Sequence, residues 1–136
     1  MFPSLGATAF LFFETPMAEV ASPRNTLIGH YVGVAVAYFW LLVFGLQHAP
    51  SALQTGFHAD RAVAVALSVA CTGGILRLLR AAHPPAGATT VIVSAGLLTT
   101  GHQLAALAGG VVLLTVSAHL TNRLLGVPAP RWASPR

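Results

Sequence analysis

His83-Pro84-Pro85-Ala86-Gly87-Ala88-Thr89-Thr90 interrupts an apolar helical sequence that runs over Ala62–Leu79 before it and Val91–Leu98 after it. Two consecutive prolines remove two backbone donors and fix two φ angles, so no ordinary helix passes through them. The residue ahead of each proline is pushed towards extended geometry as well. A break of this kind inside apolar sequence needs a physical reason, and a solute site is one. A kink that only improves packing is the alternative.

The surrounding composition points to a membrane. Hydrophobic residues make up 55% of the 136-residue chain, while seven basic and three acidic residues carry all its formal charge. The basic residues are all arginine, scattered between long apolar segments; they read as flanks of membrane spans, not as a nucleic-acid surface. A soluble helical domain of this size needs polar helix faces, and these segments have almost none. The single cysteine, Cys71, excludes an intrachain disulfide framework and a paired-cysteine metal or redox motif.

Reading outward from the break, Asp60 is positioned to cap a helix that ends near Arg80. Its Gly73-Gly74 pair is suited to close helix approach. A short helix is expected over Gly87–Leu98, then a connection, Thr99–His102, and a span over Leu104–Leu125. On the amino-terminal side, Asn25 or Thr26 is placed to cap a span over Leu27–Gln47, and His48–Ala59 reads as a loop. Pro3–Phe13 is a short apolar stretch joined to that span by the polar segment Glu14–Asn25. The tail after Gly126, rich in proline and arginine, is expected to be irregular.

The break has a counterpart. Phe2-Pro3-Ser4-Leu5-Gly6-Ala7-Thr8-Ala9 aligns on His83–Thr90 without gaps, with Pro, Gly, Ala and Thr identical. Downstream, Gly29-His30 and Gly101-His102 fall in the same order, each before a full span. This gives one transmembrane domain over residues 1–126, with repeat 1 at about 1–48 and repeat 2 at about 60–126, followed by a tail at 127–136. The first repeat lacks the opening helix of the second.

The arginines decide how the copies are oriented. If Pro84–Leu98 crosses the membrane, Arg24, Arg77, Arg80, Arg123, Arg131 and Arg136 share one side and Arg61 alone takes the other. If it dips in and returns, the split is nearly even, so the positive-inside rule favours the crossing. The short helix covers roughly 18 Å and the extended residues before it roughly 13–16 Å, together just enough for a core of about 30 Å. An odd number of crossings makes the copies antiparallel. The expected architecture is therefore an all-α, polytopic transmembrane bundle built from an inverted repeat with short broken helices. Its carboxyl terminus is expected to be cytoplasmic, in the cell's inner membrane.

In that arrangement both Pro-x-x-Gly-Ala-Thr segments begin inside the membrane. Helix amino termini there favour an anion, Gly6 and Gly87 allow close backbone approach, and Thr8, Thr89 and Thr90 offer uncharged donors. Unwound backbone at that depth must be buried or line a polar cavity. The candidate solute-binding residues are Pro3, Ser4, Gly6, Ala7 and Thr8 of the first motif and His83, Pro84, Pro85, Gly87, Ala88, Thr89 and Thr90 of the second, with Arg24, Asn25 and His30. His83 can donate to an anion or carry a proton, and His119 is an ionisable residue within a span. No metal or other cofactor is expected, because no histidine pair has ligand spacing, and no enzyme signature is present.

These motifs give the chain a resemblance to the HPP family of integral membrane proteins. They are Phe2–Thr8, Pro23-Arg24-Asn25 with Gly29-His30, and His83–Thr89, and the likeness covers nearly the whole chain. Chloroplast and cyanobacterial members of that family are associated with nitrite transport, so the resemblance implies a transporter or channel for a small inorganic anion, nitrite first. A non-transporting scaffold or sensor subunit is the alternative. The expected partners are the bilayer, the anion and other copies of the chain, and not nucleic acid.

Overall fold

The computed structural model describes residues 3–133, so Phe2, which opens the first motif, and Arg136 lie outside it. The described residues form six helices and no strand: α1 (Pro3–Glu14), α2 (Pro23–Val43), α3 (Ala52–Thr55), α4 (Ala59–Leu78), α5 (Pro85–Ser94) and α6 (Gly101–Leu124). A single 3₁₀ turn, Glu19–Ala21, leads into α2. α2, α4 and α6 are each long and apolar enough to cross a membrane. With 12 and 10 residues, α1 and α5 reach only about 18 and 15 Å, and neither spans a core of about 30 Å alone.

Local chemistry moves several boundaries from where the sequence suggests them. α2 begins at Pro23, four residues before the expected Leu27, because Ser22 accepts from the Asn25 amide and Pro23 occupies the first helical position, where its missing N–H costs nothing. Asn25 is thus not the cap. α4 is preceded by His58, and Asp60 sits inside the first turn, with its carboxylate on the Arg61 amide at 2.7 Å. The expected loop 48–59 holds the single turn α3, closed by a Ser51–Gln54 capping box. A second box, Thr100–Gln103, starts α6 at Gly101, inside the expected connection.

α5 ends at Ser94 because Gly96 takes φ +81° and closes a Schellman turn. Gly96 N bonds Val93 O at 2.9 Å, and Leu97 N bonds Ile92 O at 3.1 Å. α4 closes with the same pattern, Arg80 N to Arg77 O and Ala81 N to Leu76 O. There the left-handed position is held by Arg80, at φ +48°, the one non-glycine residue with positive φ among those described.

Bonds between helix ends fix the topology. Arg24, at the start of α2, donates to the carbonyls of Leu79 and Arg80 just past α4, at 3.1 Å each. Its amide bonds Trp132 O, so the described part of the tail, irregular in backbone as expected, folds back on α2. Asn122, in the last turn of α6, donates to Phe12 O near the end of α1. At the other end, Arg61 donates to Ser94 O and Pro50 O, and Ala52 N bonds Ala95 O. The chain therefore passes from one end of the bundle to the other between Arg80 and Gly101. Arg24, Arg77, Arg80, Arg123 and Arg131 gather at one end and Arg61 stands at the opposite one. The same bonds send the carboxyl ends of α1 and α5 to opposite ends, so the two short helices run antiparallel.

The packing is that of a membrane protein. Large apolar side chains such as Phe10, Phe39, Leu78, Leu113 and Leu124 face outward. Threonine, serine, asparagine and histidine side chains, by contrast, are buried between the helices. An apolar core of Ala37, Leu41, Ala64, Val93 and Leu107 fills the end nearer Arg61, away from the arginine cluster. Close approach of α2 and α5 rests on a Gly-x-x-x-Gly stripe, Gly29 and Gly33. A Cβ at Gly29 would lie 2.9 Å from His83 Cβ, and one at Gly33 would lie 2.7 Å from Thr90 Oγ1. Gly73 and Gly74, which the sequence singles out for such contact, have nothing within 4 Å.

Candidate functional site

The two motifs meet on one ring. Thr8, from the first motif, lies 2.9 Å from Nε2 of His30, and Thr89, its counterpart in the second, lies 2.7 Å from Nδ1 of the same imidazole. His83 completes the cluster. Its Nδ1 is 2.7 Å from Val20 O, and its Nε2 is 3.3 Å from both His30 Nε2 and Thr8 Oγ1. The two rings stand edge to face at 5.0 Å. Thr8, His30 and Thr89 are wholly buried, and His83 is 3% exposed.

The bond pattern selects the tautomers. A carbonyl only accepts, so His83 carries its proton on Nδ1 and leaves Nε2 as an acceptor. If His30 Nε2 were also bare, two lone pairs would oppose each other across 3.3 Å. His30 therefore carries its proton on Nε2, and its Nδ1 accepts from the Thr89 hydroxyl. Every ring nitrogen then has a partner, as burial demands.

Each element contributes for a local reason. Thr8 lies one turn after Ser4 on the same face of α1, and its hydroxyl also reaches Ser4 O at 3.0 Å. His30 sits two turns into α2, directly beside Gly29, whose missing side chain makes room for the His83 ring. His83 lies in the non-helical segment just ahead of Pro84, and Pro84 itself, though it precedes a proline, is not extended as expected but takes helical angles (φ −53°, ψ −37°) as the N-cap of α5. Asn25 pins this segment through Ala82 O at 3.3 Å and the 3₁₀ turn through Glu19 O at 3.1 Å. That turn presents the Val20 carbonyl, a contributor with no sequence signal, since any residue carries one.

The remaining candidates are arranged differently. Thr90 is buried against α4, donating to Ala86 O at 2.9 Å and lying 3.3 Å from Thr72 Oγ1. Pro85 is buried behind it, whereas Pro3, Gly6, Ala7, Pro84 and Ala88 face outward. Arg24 ties the ends of α2 and α4. The amino end of α5 is less open than expected: the amides of Ala86 and Gly87 bond back to the His83 and Pro84 carbonyls at 3.0 Å each. The donors of this site are side chains. Ser4 Oγ is buried without a partner among the described residues. Beside the cluster, a groove of about 420 Å³ between α4 and α5 is lined by Thr72, Arg77, His83, Pro84 and Gly87, among others. His119 lies apart, in a crevice with Pro23, Leu27 and Trp132. Gly101 and His102 open α6 on an exposed surface, whereas Gly29 and His30 lie buried, so these landmarks are not equivalent in the fold.

Apolar-surfaced spans, joined by broken elements that converge on buried polar side chains, define a polytopic α-helical membrane protein. The family model for the HPP transmembrane region matches residues 1–130, and the chain belongs to this family. Two curated relatives from Dictyostelium discoideum, each described only as a transmembrane protein, are 33% identical over 89 residues and 29% identical over 94. Those matches cover 65% and 69% of this chain but 25% and 30% of the relatives. No solved structure matches.

Proposed function

We propose that the chain is a multipass transporter or channel for a small inorganic anion, with nitrite as its first substrate. The observation that carries this reading is the convergence of both Pro-x-x-Gly-Ala-Thr segments on His30. Polar and ionisable groups inside a membrane are costly to place and mark solute pathways. A kink serving only packing would need neither two imidazoles nor two hydroxyls at its centre. The adjoining groove, at about 420 Å³, has ample room for a three-atom anion. Arg77 supplies positive charge at its rim, and His83 and Thr72 supply neutral polar contacts.

The antiparallel course of α1 and α5 supports an inverted repeat, the plan of many discontinuous-helix transporters. The arginine-rich end then faces the cytoplasm of a cell whose inner membrane holds the protein. In this reading a second copy of the chain closes the groove.

The test is uptake into liposomes carrying the purified full chain, with nitrite, formate, chloride and glycerol offered in turn. Small monovalent anions should enter faster than into protein-free liposomes, and glycerol should not. Thr89→Val should lower nitrite entry at least about ten-fold, the effect of losing about 1.4 kcal/mol of stabilisation. Equal entry with and without protein would remove the transport reading and favour a scaffold or sensor subunit.

A further inference from the structure

The cluster has one property that solvating an anion does not require: it can accept a single proton without leaving any group unpaired. In the neutral state the Thr8 oxygen accepts from His30 Nε2–H, and its one hydroxyl proton has two acceptors in reach, Ser4 O at 3.0 Å and His83 Nε2 at 3.3 Å. Suppose a proton binds at His83 Nε2. The Thr8 hydroxyl then settles on Ser4 O, and its oxygen accepts from both imidazole N–H groups. His83 Nδ1–H stays on Val20 O, and Thr89 stays on His30 Nδ1. One hydroxyl torsion accommodates the change. A proton on His30 Nδ1 has no such solution, because Thr89 would have to give up its one acceptor among the described residues.

The surroundings bear on the charge. No carboxylate bonds either ring among the described residues. From α2 the nearby charged group is Arg24, and α1 and α5 present only hydroxyls, Thr8 and Thr89. Glu19, Arg77 and Arg80 share a depression with Ala82, at the arginine-rich end. Arg77 and His83 both line the groove. Two neighbouring cations in a low-dielectric groove repel, and an anion between them removes that repulsion.

We propose that His83 is a proton-binding site coupled to the anion, taking up one proton when an anion enters the groove and releasing it when the anion leaves, with Thr8 as the rotating partner. The coupling rests on the anion reading above; the proton site does not. By linkage, the anion raises the proton affinity of His83 by the factor by which the proton raises the anion's affinity. The proton comes from water at the arginine-rich end and returns to water, so nothing else is consumed. Net movement is one anion with one proton, without charge.

The test uses the full chain in lipid nanodiscs with ¹⁵N-labelled histidine, His83 being assigned from a His83→Gln sample. Imidazole ¹⁵N shifts report which nitrogen carries each proton across a pH series. His83 should pass from Nδ1–H alone to doubly protonated while His30 keeps a single proton on Nε2. Nitrite replacing sulfate at equal ionic strength should raise the proton affinity of His83 about five-fold or more, within the usual range of coupling. Titration of His30 in place of His83, or neither ring titrating wherever the fold persists, overturns the proposal. If His83 titrates as expected but ignores nitrite, and liposomes show no nitrite flux, the coupling and the anion reading both fall. Flux with a nitrite-insensitive His83 overturns the coupling alone.

Discussion

Replacing Gly29 with alanine adds one methyl group where α2 and the segment leading into α5 pass close together. That Cβ would meet His83 Cβ at 2.9 Å, Ala86 Cβ at 3.2 Å and His83 Cδ2 at 3.2 Å. Two of these are Cβ atoms fixed to backbone, so α5 and its leading segment must move away from α2. Overpacking of this kind costs about 1–3 kcal/mol. Alanine also stabilises a helix interior by about 0.5–1 kcal/mol over glycine, and this gain must be removed before the cost is read. Gly73→Ala does so: Gly73 is likewise inside a span, and its added Cβ meets nothing within 4 Å. Gly29→Ala should therefore be less stable than Gly73→Ala by about 1–3 kcal/mol, measured by reversible unfolding in mixed detergent micelles. Should the two variants agree within about 0.5 kcal/mol, α2 and α5 do not cross at Gly29, and the placement of His83 beside it fails.

Two other predictions concern the ends of the bundle. Arg80→Gly should raise stability by about 0.5–1 kcal/mol in the same assay, because it relieves a left-handed residue at φ +48° while its carbonyl still accepts from Arg24. A loss of stability would show that the guanidinium itself is needed. Arg61→Met should cost about 1–3 kcal/mol, since a buried guanidinium bonding Ser94 O and Pro50 O holds the end of α5 against α4. Faster hydrogen exchange at Ser51–Thr55 and Leu97–Thr99 should accompany it, and unchanged exchange there would contradict the staple.

The three long spans, their order and the crossing of the segment after Arg80 follow from length, apolarity and arginine placement, all of which are local or additive along the chain. The pairing of the two motifs was legible too, because Pro, Gly and Thr at fixed spacing leave few backbone options. What the sequence did not disclose is three-dimensional coincidence. The sequence names His30 as a candidate, but not that α1 and α5 place a threonine on each of its nitrogens. Gly29 and Gly33 match Gly73 and Gly74 in composition, and only the packing tells which pair is crowded. The expected free amides at the head of α5 are taken up by its own turn, a local bond pattern that sequence does not resolve.

The central structural claim, that both motifs close on a single imidazole, is tested most directly by a double-mutant cycle between Thr8→Val and Thr89→Val in unfolding free energy. Each single change leaves a ring nitrogen of His30 without its hydroxyl and should cost about 1–3 kcal/mol. Once one hydroxyl is gone, the ring is no longer held for the other. The double variant should therefore cost about 1 kcal/mol less than the sum of the singles. Additivity to within about 0.3–0.5 kcal/mol would mean that the two threonines do not share the His30 ring, and would contradict the account.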